Sequence, residues 1–350
     1  MHLAPQAVTG GTAPGIVYLD DESQPRSALL RAGYRFYLAG HARNDRFNEG
    51  LQRLFAEAIY PQARRAGEVA FALHYPSVDW EREIATILQG KHPMHEAHHH
   101  YALTELRFDW RALLPARFAV RAVDEDLLSE ERLDGLDALR EEMVSECPTV
   151  SFFLANRFGR CVVHGETLAA WCLSEYNCPG ACEVGIETRP AYRRQGLATV
   201  AAGALIEEAF SRGMVRIGWH CYADNEASIA TALKVGFDLN AEYTTCFAWF
   251  DEVANLAVNG NVRARQGDHQ GAAEWYARAF RAGEPPVWAW LRAAEACSRL
   301  GEVDQALRYL QQALDRGFAD AAYLRESPAL ANARESAGWA PLMERLDHPG

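Results

Sequence analysis

Residues 191 to 203 read AYRRQGLATVAAG, a basic turn running directly into an apolar helix. A helix start leaves its first amides unpaired and carries partial positive charge, so it attracts phosphate. Gly196 lets the backbone come close, and Arg193 and Arg194 add full charges. The stretch has the chemistry of a phosphate seat. A second stretch, KHPMHEAHHHYAL over 91 to 103, suggests metal ligation, because His95 and His99 are spaced i,i+4 and His92 and His95 i,i+3. Pro93 and the strand-like YALTEL oppose the helix that would align them, and no carboxylate or cysteine completes a ligand pattern. The reading is a solvated, titratable loop, and no metal is expected.

The elements around the turn follow from periodicity. FAVRAV from Phe118 opens a strand, and a charged helix is expected from about Ser129 to Glu146. GRCVVHG and TLAAWCLSEYN form a hairpin through His164, Gly165 and Glu166. CEVGIET over 182 to 188 is the next strand and delivers the chain into the turn. A helix from about Gly196 to Arg212 closes on Gly213. VRIGWHCY, the helix EASIATALKVG and the strand AEYTTCFAWF complete this section. Upstream, YRFYLAG (34 to 40) and EVAFALHYP (68 to 76) read as strands. Each precedes a helical pattern, DRFNEGLQRLFAEAIYPQARRAG and VDWEREIATILQG.

Residues 251 to 350 read as all-helical. GDHQGAAEWYARAF and GEVDQALRYLQQAL are offset by 34 residues, the period of a tetratricopeptide repeat. Ala272 falls on Ala306, Tyr276 on Leu310 and Ala279 on Ala313. Two visible repeats are too few for a free-standing solenoid, so they are expected to lean on the rest of the chain. The predicted division is a flexible tail (1 to 15), an N-terminal α/β region (16 to 110), a central domain (111 to 250) and a tetratricopeptide-like domain (251 to 350).

Composition narrows the class. The chain has 350 residues, 49% of them hydrophobic, with a formal net charge of −12. That balance opposes broad nucleic-acid binding. Lys91 and Lys234 are the only lysines, an arginine bias that fits a GC-rich bacterial genome. Eight cysteines without a C-x-x-C pair read as small apolar residues in a reducing compartment. The N-terminus lacks a basic and apolar leader pattern, and no run reaches 18 apolar residues. A soluble cytoplasmic protein with no membrane contact is expected.

The order of loop, helix, strand, asparagine, helix and Gly236-Phe237 resembles the Gcn5-related N-acetyltransferase (GNAT) superfamily over about residues 118 to 250. The resemblance implies a mixed, mostly antiparallel sheet flanked by helices, with acetyl-CoA or another acyl-CoA as co-substrate. Arg193, Arg194, Gln195, Gly196, Leu197, Ala198 and Thr199 would wrap the pyrophosphate. Ile186 and Thr188 would pair with the pantetheine arm, and Asn225, with Ser228 nearby, would meet it from the next helix. Asn225 also reads as a plain N-cap. Many members carry a tyrosine five residues before the Gly-Phe phenylalanine as acid; here that position is Ala232. The thiolate then leaves unaided, or Tyr222, Cys221, His220 or Ser228 protonates it. Glu183, Glu187 and His220 are the candidate bases for an amine acceptor. A looser likeness to a bacterial branch with an extra N-terminal region implies that residues 16 to 110 wall the acceptor pocket. The implied activity is acyl transfer to a primary amine, small or carrier-bound. A donor such as aminoacyl-tRNA and a non-catalytic coenzyme A-binding scaffold are the alternatives. The helical tail would hold a protein partner or a second copy.

Overall fold

A computed structural model describes residues 2–347. Two compact units are distinguished, Met1–Asn44, Ala72–Glu81 and His95–Cys246 in the first, and Asp45–Phe71, Arg82–Met94 and Phe247–Gly350 in the second. These lines differ from the four consecutive segments expected. Residues 16 to 110 are shared between the units.

The strands are β1 (Ile16–Leu19), β2 (Ser27–Ala32), β3 (Arg35–Gly40), β4 (Ala70–His74), β5 (Met94–Leu103) and β6 (Ala119–Ala122). They continue with β7 (Gly159–His164), β8 (Thr167–Cys178), β9 (Ala181–Thr188), β10 (Arg216–Tyr222) and β11 (Asp238–Trp249). Their order across one sheet is β1-β2-β3-β4-β11-β5-β10-β9-β8-β7-β6. The chain runs twice through the same plan. First β2 and β3 pair antiparallel, a helical stretch follows, and β4 returns parallel to β3. Then β8 and β9 pair antiparallel, the helix Leu197–Ser211 follows, and β10 returns parallel to β9. Each plan ends in a helix and a last strand, and these last strands are exchanged. β5 lies beside β10, and β11 beside β4. The region expected as an added wall therefore repeats the element order of the central one.

Three other expectations change. The tail contains the helix Ala4–Thr9, whose Ala4 and Ala7 are buried with Leu30, Ala32, Tyr37 and Tyr176. Thr12 also donates to the Asn177 carbonyl at 2.8 Å. The histidine-rich loop is strand β5, in which His95 is exposed, His98 and His99 are half-buried and His100 is buried. The charged helix from Ser129 is shorter, Leu136–Ser145, preceded by a single turn, Glu125–Leu128, capped by Asp124.

In the second unit, the helices Glu252–Arg265, His269–Ala282, Val287–Arg299 and Val303–Asp315 follow in order. Ala272, Tyr276 and Ala279, and their 34-offset counterparts Ala306, Leu310 and Ala313, are all buried. Small residues there let helices approach closely. His92 is held in this unit, its carbonyl accepting from Asn259 at 2.9 Å and its Nε2 lying 2.7 Å from Arg278. All eight cysteines are free and buried, as small apolar residues. Among the described residues no helix is long and apolar enough to cross a membrane.

Candidate active site

Two parallel strands part in the first unit. β9 and β10 pair from Ala181 with Arg216 to Val184 with Trp219 and no further. Beyond that point β9 stays with β8, and β10 stays with β5. Gly185 to Thr188 thus face His220 to Tyr222 across a gap that opens toward the C-terminal end of β9. The phosphate-like turn lies at that open end.

The turn is built for close approach. Gly196 caps the helix Leu197–Ser211 at φ 78° with no side-chain cap, so the first-turn amides keep free hydrogens for an anion. Arg194 stands at φ 62°, a conformation costly for a side chain and characteristic of functional turns. Arg193 donates from Nε to the Thr188 carbonyl at 3.0 Å, which ties the turn to the strand. Gln195 accepts from Arg117 at 2.5 Å. Leu197 and Thr199 are buried, while Ala198 is half-buried. Within the gap, the Thr188 hydroxyl is buried without a partner. An orphaned polar atom, free amides and an unpaired strand edge together fit a phosphorylated, amide-bearing arm. Asn225 accepts from the Ser228 amide and so caps the helix Glu226–Val235. The Ser228 hydroxyl accepts from the Trp219 indole at 2.9 Å. Ala232 is fully buried, and no phenol stands at its place.

Register sends Glu183, Gly218, His220 and His100 to one face, opposite the helix Leu197–Ser211. Glu183 is 1% exposed and lies at the closed end of the gap. Its Oε1 accepts from the Leu3 amide at 2.6 Å and meets His220 Nε2 at 3.0 Å. Tyr243 Oη lies 2.9 Å from His220 Nδ1 and 2.9 Å from His2 Nε2. His2 Nδ1 and Glu183 Oε2 are 3.5 Å apart, and both are buried without a hydrogen-bond partner. The His220 ring is stacked between His2, centroids 3.7 Å apart, and His100, at 4.3 Å. Burial, and then the neighbouring His220, lower the His2 imidazole to about 3, so it is neutral near pH 7. Burial opposes ionisation of Glu183, but His2 and His220 outweigh it and hold the carboxylate charged.

The sequence candidates divide. Glu183 and His220 meet, as their adjacent strands require. Glu187 is half-exposed and paired with Arg193 at 3.3 Å, so it serves the turn instead of the closed end. Tyr222 lies at the open side against His98, centroids 4.5 Å apart, and burial raises its phenol. His2, Leu3 and Tyr243 carry no local signal. Leu3 and Glu183 are 180 positions apart, and the first segment reads as a tail. His2, Glu183 and His220 do bring one donor atom each within 4.8 Å. Stacking at 11° would place a shared cation out of both ring planes, away from the nitrogen lone pairs. Of the three, Glu183 and His220 are hydrogen-bonded at 3.0 Å, and His2 stacks on His220.

A family model described as GNAT acetyltransferase matches residues 2–246. The chain belongs to that family, whose members use acetyl-CoA, and it is an N-acetyltransferase of the GNAT type. It is similar to the uncharacterized N-acetyltransferase YdfB of Bacillus subtilis (strain 168), with 29% identity over 239 residues, 68% of this chain and 87% of that one. Among solved structures it is similar to a GCN5-related N-acetyltransferase-like protein from Streptococcus suis 89/1591. The TM-score there is 0.48 at 23% identity, covering 67% of this chain and 88% of that one. A tandem GNAT protein from the clavulanic acid biosynthesis pathway gives a TM-score of 0.46 at 16% identity, covering 68% and 83%.

Proposed function

We propose that the chain moves an acetyl group from acetyl-CoA to a primary amine by direct attack. The observation that carries this reading is the parting of β9 and β10 after Val184 and Trp219, with the amide-rich turn at its open end and Glu183 at its closed end. The turn Arg193 to Thr199 would hold the pyrophosphate, and Ile186 and Thr188 the pantetheine arm. Asn225 keeps its capping bond and offers its amide nitrogen. An attacking amine must shed a proton, and Glu183 with His220 is the buried basic group beside the place where the thioester carbon would lie. The thiol needs little help in leaving, because thiols titrate at roughly 8.5, which suits the buried alanine at 232.

The helical pairs of the second unit would offer a tetratricopeptide-like surface to a protein partner, in support of which stands the 34-residue recurrence of buried small positions. Thiol release measured over a panel of primary amines tests the activity. At least one amine should release coenzyme A above the rate of water. Gly196→Asp should weaken coenzyme A binding by roughly 10-fold or more in calorimetry, by adding charge and a side chain where phosphate approaches. Unchanged affinity in that variant would remove the turn from the site.

A further inference from the structure

The helices Glu252–Arg265 and Val287–Arg299 hold equivalent places in the 34-residue period of the second unit. The period pairs Asn261 with Glu295 and Arg265 with Arg299. Within each helix the two members are four residues apart, so each helix turns a polar residue and an arginine to one face. All four line one cavity of about 450 Å³, which His269, Arg292, Tyr323 and Ser327 also line. Glu295 is its one acid among the described residues, and it is 7% exposed. Glu295 Oε2 accepts from Arg292 at 2.7 Å, and its Oε1 accepts from the hydroxyls of Tyr323 at 2.5 Å and Ser327 at 3.1 Å. Its charge is thus matched by Arg292, although Arg299 stands one helical turn away. Arg265 and Arg299 are exposed, and neither has a hydrogen bond or ion pair among the described residues. His269 Nδ1 and the Tyr276 hydroxyl are buried without a partner. The charged groups acting on Tyr276 are Arg292, Glu295 and Arg265, three of the cavity's own. Three arginines therefore face one glutamate here, in a chain of net charge −12.

We infer that this groove seats an acidic segment of a partner protein, with its carboxylates on Arg265 and Arg299. The inference rests on the reading of the second unit as a surface for a protein partner, and it names the chemistry of that partner. A guanidinium presents its N–H donors as a fork that matches a carboxylate, and these two forks have nothing else to bind. The Asn261 amide and the His269 ring add hydrogen-bonding groups beside them, whichever ring nitrogen carries the proton. Both arginines are exposed, which suits a chain that crosses a surface and leaves it at both ends; a small anion is held by enclosure. Elsewhere the surplus of acids repels such a segment, so the groove also fixes where it lands.

The probe is the peptide Gly-Ala-Asp-Glu-Asp-Glu-Ala, amidated at its C-terminus and labelled with a neutral fluorophore. Its binding to the full chain is read by fluorescence anisotropy. A comparison peptide carries Asn and Gln at the acidic places. The acidic peptide should bind about 10-fold more tightly than the comparison peptide, and more weakly as salt is raised. Arg265→Gln and Arg299→Gln should each weaken it by about 10-fold. Both residues are exposed, so melting temperature and coenzyme A affinity should stay at wild-type values. Equal binding of the two peptides overturns the inference, and so does unchanged affinity in both arginine variants. Succinate or inorganic phosphate bound as tightly as the acidic peptide would make the groove a small-anion site and overturn it too. Cross-linking of the full chain in cell extract separates this inference from the reading beneath it. A protein captured equally by the wild-type chain and the Arg265→Gln, Arg299→Gln double variant keeps a partner and overturns the groove. Loss of both peptide binding and any captured protein defeats the two together.

Discussion

His2, His74 and His100 are imidazoles that the first unit keeps from charging. Burial is the leading cause at each, with neighbouring His220 adding for His2 and His100, and His2 for His74; His2 and His100 fall to about 3. In the unfolded chain the same rings titrate near 6.5. Below that value the unfolded state binds more protons than the folded one, so stability falls as pH falls, down toward the folded values. Each ring contributes a slope of up to about 1.4 kcal/mol per pH unit in that window. Glu183 has the opposite shift. Its contribution is full above the ordinary carboxylate value and is lost only as pH drops through its depressed folded value. The urea midpoint should therefore decline between pH 7.5 and 5.5, before carboxylates titrate. A flat midpoint over that range would mean that the rings are solvated. At this scale the sequence is legible where chemistry is contiguous. Arg193 to Thr199 can be read as one turn, and Glu183 and His220 as strand residues near it. His2 and Tyr243 cannot, because only the assembled sheet brings them to Glu183.

The helix Leu197–Ser211 shows why packing, not propensity, selects some of its residues. Gly203 lies in its middle, where glycine weakens a helix. A β-carbon at 203 would lie 2.6 Å from Trp110 Cβ and 2.8 Å from the end of Phe108. Trp110 is buried and donates to Glu207 at 3.2 Å, so it cannot yield. Gly203→Ala should thus lose about 1–3 kcal/mol in denaturant unfolding, despite the better helix former. A stabilised variant would show that Trp110 moves freely. Strands that are short apolar runs, such as those from Arg35 and Gly159, are visible in the sequence. β5 is not, because MHEAHHHYAL has no apolar period. Of its histidines only His100 is buried, and it is held by a partner on another strand, its Nδ1 lying 3.1 Å from Asn240. The helical hairpins after residue 251 are legible because their small residues recur at one fixed offset.

The whole chain does not divide where its texture changes. Residues 45–71 and 82–94 share a unit with the helices after 247. Lys91, whose side chain is 6% exposed, bonds the Phe250 carbonyl at 3.0 Å and Glu252 at 2.8 Å. Asn255, Asn259, Trp275 and Arg278 surround His92. A chain ended after Asp251 keeps the Phe250 carbonyl but removes Glu252 and all four neighbours of His92, and leaves a buried ammonium short of its carboxylate. Its melting temperature should fall well below that of the full chain, and coenzyme A binding should fall with it at 37 °C. An unchanged melting temperature would restore the view that the helices are a separable appendage.

The exchange of β5 and β11 also governs the order in which the protein can be made. A ribosome releases β5 long before β10 exists, and β4 long before β11. β5 waits as a histidine-bearing strand whose neighbours on both sides are still to be synthesised, and Asn240 reaches His100 across 140 positions. Neither run of the plan can close as it emerges. The sheet must instead zip shut late, around strands already long exposed, at the entropic cost of closing large loops. Refolding should be slow beside that of a single run of the same plan, with the waiting edges open to pairing with other chains. The same interlock prevents gene deletion from shedding one run cleanly, because each run carries a strand on which the other depends.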